Sequence, residues 1–404
     1  MQVYILLYLN PYNQSSASAN RLLSLIEGLQ TVGAQIHLLI YGGYTSASEK
    51  AKFGIAGTIN NIDYEYVLPL LIEGYWKIRL YKYIVSYIRS SKVINYLIRF
   101  FKNKEGIIWT EPSYLNFRFA LKYKISQKGK AKLFIEMSEF LDIHRYNKGN
   151  FLQRWEGNLR QKIFERKAFF DYDGIALMTK TLLMHYQNFP KPHPKFLHLP
   201  MTVDLDRFSG KFTPLPEFER PYVVFIGVMN DAKDGVNILI KAFALIADKF
   251  IQYKLYLVGP WNYDTIGHLK MINELGLNDR VFWMKEYPRE KIPNIICNAE
   301  LLVMPRPNSK QAQGGFPTKL GEYLASGKPV CATTVGELPD YLVDGESIFF
   351  AEPGSVESFA NAIYRALSNP EEALRVGLKG KEVAEVHFNN GIQAKMLYDF
   401  LLTL

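Results

Sequence analysis

Cysteine is scarce in this chain of 404 residues: there are two, Cys297 and Cys331, with no CxxC spacing and no histidines at metal-ligand intervals. That excludes a disulfide framework and a thiolate zinc site, and it fits a reducing compartment with both thiols free. Long apolar runs are missing as well, none approaching the roughly 18 residues that a membrane-crossing helix needs. The opening MQVYILLYLNPY has no basic leader and reaches Asn10 after a short apolar run, so it reads as a buried first strand and not as a signal peptide. Low-complexity tracts and repeats of solenoid length are also lacking. With 48% hydrophobic and 22% charged residues the composition is that of a folded protein, which excludes disorder. The expectation is a cytoplasmic, non-spanning protein of two or three domains.

Acidic residues are absent from Gly74–Lys104, although the chain as a whole carries a net charge of only +9. In that stretch Lys77, Arg79, Lys82, Arg89, Lys92, Arg99, Lys102 and Lys104 alternate with Trp76, Tyr81, Tyr83, Tyr87, Tyr96, Phe100 and Phe101. Basic, aromatic helices of this kind lie on anionic bilayers, which suggests a peripheral protein on the inner face of the plasma membrane. No nucleic-acid motif accompanies the charge, so nucleic acid is not an expected partner. A pair of core-packed helices with a solvated basic face explains the same pattern.

What is present is an alternation of short apolar runs with helical periodicity, the pattern of a parallel sheet covered on both faces. Strands are expected at Val3–Tyr8, Gln35–Ile40, Ile107–Thr110, Lys132–Glu136, Gly174–Met178 and Phe196–Leu199. A Pro-, Gly- and charge-rich stretch, Arg207–Arg220, reads as a linker. The pattern then begins again at Tyr222–Ile226, followed by a helix Val236–Lys249 and strands Lys254–Val258, Phe282–Met284, Leu301–Met304, Pro329–Thr333 and Ser347–Ala351. The fold class is α/β, with two Rossmann-like parallel-sheet domains facing a central cleft. The expected boundaries are 1–205 for the first domain and 206–386 for the second, with a closing helix, 387–404, crossing back to the first.

The richest chemistry lies in MPRPNSKQAQGGFPTKLGEYLASG, from Met304 to Gly327. A Gly-Gly turn permits close backbone approach, Pro317 suits the first helical position, and the free N–H groups of a first turn favour phosphate. Lys319 adds a cation. Glu322, three residues on, adds a carboxylate able to hold neighbouring sugar hydroxyls. Phosphate beside a diol describes a nucleotide sugar. The plainer alternative is a Lys319–Glu322 ion pair on a solvated helix.

From Tyr222 onward the chain resembles the donor domain of GT-B glycosyltransferases of family 4, the large retaining group. The blocks that carry the likeness are FIG at Phe225–Gly227, KDGVNILIKAFALI at Lys233–Ile246, YLVG at Tyr256–Gly259, REKIP at Arg289–Pro293, GGFPTKLGEYLASGKPV at Gly314–Val330 and VGELPDYLVDGES at Val335–Ser347. PMTVDLDRF, at Pro200–Phe208, resembles the family's hinge. The first half matches loosely.

The resemblance implies a GT-B fold and assigns residues one at a time. Glu322 matches the ribose-binding second glutamate of the family's paired-glutamate motif, and its first glutamate falls at Gly314. The phosphate-binding arginine falls at Val228 and the lysine at Asp234, with Lys233 displaced by one. Arg306 and Lys319 are the candidates to replace the missing cation. The donor-binding set is therefore Gly227, Lys233, Arg306, Gly314, Gly315, Phe316, Thr318, Lys319 and Glu322. The phosphate or acceptor loop of the first domain corresponds to Asn13–Asn20, where Ser15, Ser16, Ser18 and Arg21 are candidates; N-capping by a serine or Asn20 explains the same residues. A family histidine near the transferred sugar falls at Met137, leaving Glu139 to orient a hydroxyl, with Glu136 and His144 nearby. Glu139, Arg306 and Lys233 are the candidate catalytic residues. The implied activity is retaining transfer of a sugar, usually a hexose, from a UDP- or GDP-linked donor to a lipid-linked or cell-envelope glycan in polysaccharide biosynthesis, without metal or other cofactor. The losses at Gly314, Val228 and Met137 motivate a second reading, a non-catalytic glycosyltransferase-like subunit that binds nucleotide or a partner at the membrane. A sugar-nucleotide epimerase of the same architecture is disfavoured by the GFPTKLGEY block.

Overall fold

A computed structural model describes residues 1–14, 16–71, 79–126, 130–141 and 151–404, and the side chains of 17, 79–88, 151–154 and 156 also fall outside the description. The chain divides into two units, Met1–Leu199 with Ala394–Leu404, and Pro200–Gln393.

The first unit is built on an eight-stranded sheet in the order β3-β4-β2-β1-β5-β6-β7-β8. The strands are β1 (Gln2–Leu7), β2 (Gln35–Ile40), β3 (Ala56–Ile59), β4 (Ile62–Tyr66), β5 (Gly106–Thr110), β6 (Ala131–Met137), β7 (Gly174–Leu177) and β8 (Lys195–His198). The central strands read as continuous apolar runs because helices cover both faces. Leu6 and Leu39 belong to one core cluster; Ile5, Leu38, Leu25, Ile26 and Leu29 belong to another.

Two strands were not anticipated. β3 and β4 form an antiparallel hairpin at the sheet edge, closed by Asn60 (φ 51°) and Asn61 (φ 61°). Ile59-Asn-Asn-Ile62 is a two-residue turn of the left-handed kind that asparagine tolerates, so a local signal existed.

The second unit has a six-stranded sheet, β11-β10-β9-β12-β13-β14, with parallel pairing throughout. Its strands are β9 (Tyr222–Ile226), β10 (Lys254–Val258), β11 (Val281–Met284), β12 (Leu301–Met304), β13 (Val330–Thr333) and β14 (Phe349–Ala351). The expected helix from Val236 stops at Ala244, where turns take over. Arg207–Arg220 lies inside this unit and is no bare linker: Phe218 is buried against Tyr222 and Tyr256, and Asn294 and Asn298 donate to the Thr213 and Phe212 carbonyls.

The closing segment forms one helix, Asn390–Leu402, preceded by the helix Pro370–His387. Ala394, Leu397 and Leu401 of the last helix are buried in the core of the first unit, and Phe400 packs on Phe134 at 6.2 Å.

Among the described residues, no helix is long and apolar enough to cross a membrane. Trp76, Lys77 and His144 lie outside the description, as do the side chains of Arg79, Tyr81, Lys82, Tyr83 and Tyr87. The described part of the basic stretch has a buried face, Val93, Ile94, Leu97 and Phe101, while Lys92, Arg99, Lys102 and Lys104 are exposed. Arg89 is a correction to the basic-surface reading. Its Nη2 donates to the carbonyls of Tyr41 (2.7 Å) and Leu68 (3.1 Å), so this guanidinium ties chain segments together.

Leu397 is fully buried, so Leu397→Ala should lower stability by roughly 2–5 kcal/mol through lost burial and a residual cavity. Urea unfolding checks this. Tyr263→Ser, at a position 89% exposed, should change stability by less than about 0.5 kcal/mol.

Candidate functional site

In the second sheet β9 pairs with β10 on one side and β12 on the other, so the chain crosses over in opposite directions from neighbouring strands. Ligands in open parallel sheets bind at the carboxyl ends of the strands flanking such a switch point. Gly227 follows β9 and Arg306 comes two residues after β12. The glycine-rich loop and its helix, Thr318–Ala325, come next in the chain.

Lys319 is the centre of this site. Its Nζ donates to Asp234 Oδ1 at 3.0 Å and stands 4.6 Å from the centre of the Phe225 ring. A Cβ added at Gly227 would lie 2.0 Å from Lys319 Nζ, so only glycine leaves room for the ammonium at the end of β9. Asp234 is almost fully buried, whereas the Lys319 side chain keeps 22% exposure. Burial pulls the ammonium below its usual pKa, Asp234 pulls it back up, and Arg306 and Lys233 push it down. Arg306 and Lys233 thus act on the same ammonium that Asp234 compensates.

The loop that supplies Asp234 is held at several points. Asn230 caps the short helix Asp231–Asp234 by accepting from the Lys233 amide at 2.9 Å. Gly235 then takes a left-handed conformation (φ 68°), and a Cβ there would lie 2.0 Å from the Pro305 carbonyl oxygen. Asp231 Oδ1 pairs with His268 Nε2 at 2.7 Å and accepts from the Asn237 amide at 2.9 Å. Burial raises the Asp231 pKa, but these partners outweigh it and hold the carboxyl below its ordinary value. This His268–Asp231 pair escaped the sequence reading because the two residues lie on different elements.

Glu322 does not pair with Lys319, which sets aside the plain helix ion pair. Arg207 Nη1 donates to Glu322 Oε1 at 2.5 Å, and Arg207 Nη2 donates to the Arg289 carbonyl at 3.0 Å. Arg207 is a residue the sequence reading placed in the linker. It anchors one oxygen of Glu322 and orients the carboxylate, whose side chain is 19% exposed.

The remaining candidates divide. Lys233 is exposed, and Arg306 is 5% exposed with Nε donating to the Lys233 carbonyl at 3.4 Å. Arg306 therefore braces the loop. Thr333 Oγ1 in turn donates to the Arg306 carbonyl at 2.6 Å. Gly314 ends the helix Lys310–Gly314, and Gly315 is ordinary extended backbone (φ −122°), so neither position needs the left-handed freedom of glycine. Phe316 is buried against Phe388 and Tyr341 at 5.2 and 5.9 Å and anchors the turn. Pro317 is the cap position and Thr318 the first helical residue; no side chain caps that turn, whose N–H groups suit an anion.

In the first unit Ser16 caps the helix Ala17–Thr31, accepting from the Ala19 amide at 3.2 Å, and its hydroxyl lies 3.2 Å from that of Ser18. Ser15 lies outside the described residues. Arg21 is 3% exposed, with Nε donating to Glu136 Oε1 at 3.0 Å and Nη2 to the Leu199 carbonyl at 2.9 Å, a buried ion pair within the unit. Met137 is fully buried in the core, while Glu139 is half-buried just beyond β6. Among the described residues, no group of three or more His, Cys, Asp or Glu side chains is arranged to hold a metal.

Two parallel-sheet, Rossmann-like units with this order of strands define the GT-B fold. The structure of sucrose-phosphate synthase from Thermosynechococcus elongatus is similar over 100% of both chains, with a TM-score of 0.75 and 19% identity. Anabaena HepE in complex with UDP-glucose is similar over 100% of both chains, with a TM-score of 0.69 and 15% identity. Residues 220–369 match the family model for glycosyl transferases group 1. A GDP-mannose-dependent alpha-(1-6)-phosphatidylinositol monomannoside mannosyltransferase from Mycolicibacterium smegmatis is 25% identical over 229 residues, 53% of this chain and 58% of that protein. A 2-deoxystreptamine glucosyltransferase from Streptomyces kanamyceticus is 28% identical over 182 residues, 45% of this chain and 44% of that protein. The chain thus spans about half the length of the curated relatives it matches.

Asp234→Asn leaves the Lys319 ammonium without its counter-charge and should destabilise the protein on the order of 3 kcal/mol. Adding Lys319→Met should recover most of that loss. Urea unfolding of the single and double variants measures both.

Proposed function

We propose that this chain is a glycosyltransferase that moves a sugar from a UDP- or GDP-linked donor to a glycan or lipid-linked acceptor of the cell envelope, with retention at the anomeric carbon. The observation that carries the reading is the buried Lys319–Asp234 ion pair at the switch point of the second sheet, with Arg306 bonded to the Lys233 carbonyl and both cations acting on the same ammonium. Three cations against one anion leave an excess of positive charge for a diphosphate. Glu322 lies one helical turn beyond Lys319, with Arg207 bonded to a single oxygen, and it is the group to hold the ribose hydroxyls. The group 1 family match and the named mannosyl- and glucosyltransferase relatives support the same reading.

In the reaction we propose, the acceptor hydroxyl oxygen bonds to the anomeric carbon on the face from which the diphosphate leaves. The bond to the phosphate oxygen breaks, and that oxygen takes the hydroxyl proton. The negative charge growing on the diphosphate falls to Lys319, Lys233 and the uncapped turn at Thr318, fixed charges and dipoles that need no reorganisation and no metal. Arg306 contributes its charge and holds the Lys233 loop. Glu139 orients a hydroxyl.

Calorimetric titration of UDP, GDP and their sugar conjugates tests the donor site. Glu322→Ala should weaken nucleotide binding about ten- to a hundredfold, the equivalent of roughly 1.5–3 kcal/mol for a hydrogen bond to a charged group. A wild-type chain that binds no nucleotide would favour the non-catalytic subunit instead.

We also propose that the basic, aromatic segment 74–104 rests on an anionic membrane, making the protein peripheral on the inner face of the plasma membrane. Replacing the exposed Lys92, Arg99, Lys102 and Lys104 by Gln should weaken partitioning onto phosphatidylserine vesicles tenfold or more, at about 1 kcal/mol per charge. Unchanged partitioning sinks the membrane proposal and leaves the transferase reading intact.

A further inference from the structure

The first sheet has a switch point of its own, where β1 pairs with β2 on one side and β5 on the other. Tyr8 follows β1 and Glu111 follows β5. The Tyr8 amide donates to Glu111 Oε1 at 2.7 Å, and the Tyr41 hydroxyl, from the residue after β2, donates to the same oxygen at 3.1 Å. Ser113 Oγ lies 2.9 Å from the Tyr41 hydroxyl. Glu111 is half-buried, and its Oε2 meets no donor among the described residues. The Tyr8 ring is 46% exposed and meets Tyr41 edge-on at 5.8 Å.

Other inward carboxylates of this unit are compensated more fully. Glu136 has Arg21, Asp173 accepts from Lys124 and from the Leu133 amide, and Glu49 accepts from the Thr45 amide and hydroxyl and from Tyr66. Among the described residues Glu111 has no paired cation; Arg89 is turned onto the Tyr41 and Leu68 carbonyls. Burial raises its carboxyl to about 7, with the Tyr8 amide and the Tyr41 hydroxyl only partly offsetting the effect. A carboxyl held by one oxygen, with the other lacking a donor among the described residues at a switch point, is built to meet a ligand.

We propose that Glu111 and Tyr8 form a subsite for a neutral pyranose, Glu111 Oε2 accepting from ring hydroxyls while the exposed face of Tyr8 packs against the apolar C–H face of the sugar. The carboxylate repels anions, which excludes phosphate as the ligand here. That the bound sugar is the acceptor rests on the transferase reading; the binding itself does not.

The pH dependence follows from the sign of the interaction. A ligand hydroxyl donates to the ionised carboxylate, so affinity is weak while Glu111 is protonated and rises as pH passes through about 7. The Tyr41 phenol that faces it is pushed well above its ordinary value by burial and by Glu111 itself; Tyr8, edge-on to Tyr41, and Arg89, on the Tyr41 carbonyl, are the other ionisable residues packed against that phenol's segment.

Saturation-transfer NMR of the full chain, with the methyl α-glycosides of glucose, mannose and galactose and with inorganic phosphate as probes, tests the proposal. At least one methyl glycoside should bind, more tightly as pH rises through about 7, and Glu111→Gln should weaken it tenfold or more and flatten the pH profile. Tyr8→Ala, at an exposed position, should weaken it as well and keeps the test decisive if Glu111→Gln fails to fold. In turnover, both variants should raise the KM for acceptor and leave that for nucleotide sugar unchanged. Glycoside binding that is equal in wild type and variants, no glycoside binding by wild type, or preferential binding of phosphate overturns the subsite. Glycoside binding that depends on Glu111 in a chain that binds no nucleotide would keep the subsite and overturn the transferase reading.

Discussion

The contact between Asp234 and Lys319 governs the candidate donor site. An ammonium that is mostly buried and has two other cations for neighbours tends to lose its proton; a carboxylate at 3.0 Å opposes that loss. Much of the local geometry exists to make this contact. Gly235 turns the chain so that Asp234 enters the interior, Pro305 lies against that turn, and Gly227 lacks the side chain that would evict the ammonium. The resemblance made Asp234 a loss, a carboxylate where a lysine belongs. In the folded chain it is the counter-ion that allows the lysine of the neighbouring helix to stay charged.

The strands of both sheets were legible because a strand buried on both faces is a run of branched apolar residues with polar boundaries. Tyr222–Ile226, Lys254–Val258 and Leu301–Met304 lie where the pattern puts them. The edge hairpin β3–β4 was not, because an edge strand such as Ala-Gly-Thr-Ile needs no apolar run; its Asn-Asn turn was the only local sign. Site residues followed the same division. Lys319 and Glu322 were visible as types on one helix, and their separate partners were not: Asp234 lies 85 residues from the first and Arg207 lies 115 from the second. Long-range pairing leaves no periodicity to read. Arg21 shows the reverse error, a cation beside a serine-rich loop whose charge belongs to Glu136 inside the sheet.

The two sheets use one topological device for opposite chemistry. Each brings two strand ends together where the crossovers diverge, at β9 and β12 in one and at β1 and β5 in the other. The second sheet gathers ammonium and guanidinium groups there, suited to a polyanion. The first places a carboxyl and a phenol ring, suited to uncharged hydroxyls. The backbone supplies location, and the residues just beyond each strand decide the ligand.

The last helix also orders events on the ribosome. Ala394, Leu397 and Leu401 complete a core whose other members lie before residue 200, and the whole second unit is encoded between them. Until translation reaches those positions, the part of the first sheet's apolar face that they cover is left unfilled beside the helix Ala17–Thr31, while the second unit, continuous in sequence, can close as soon as its residues emerge. The unit translated first is finished last, and nascent chains halted anywhere in the second unit expose the same unfilled groove to chaperones.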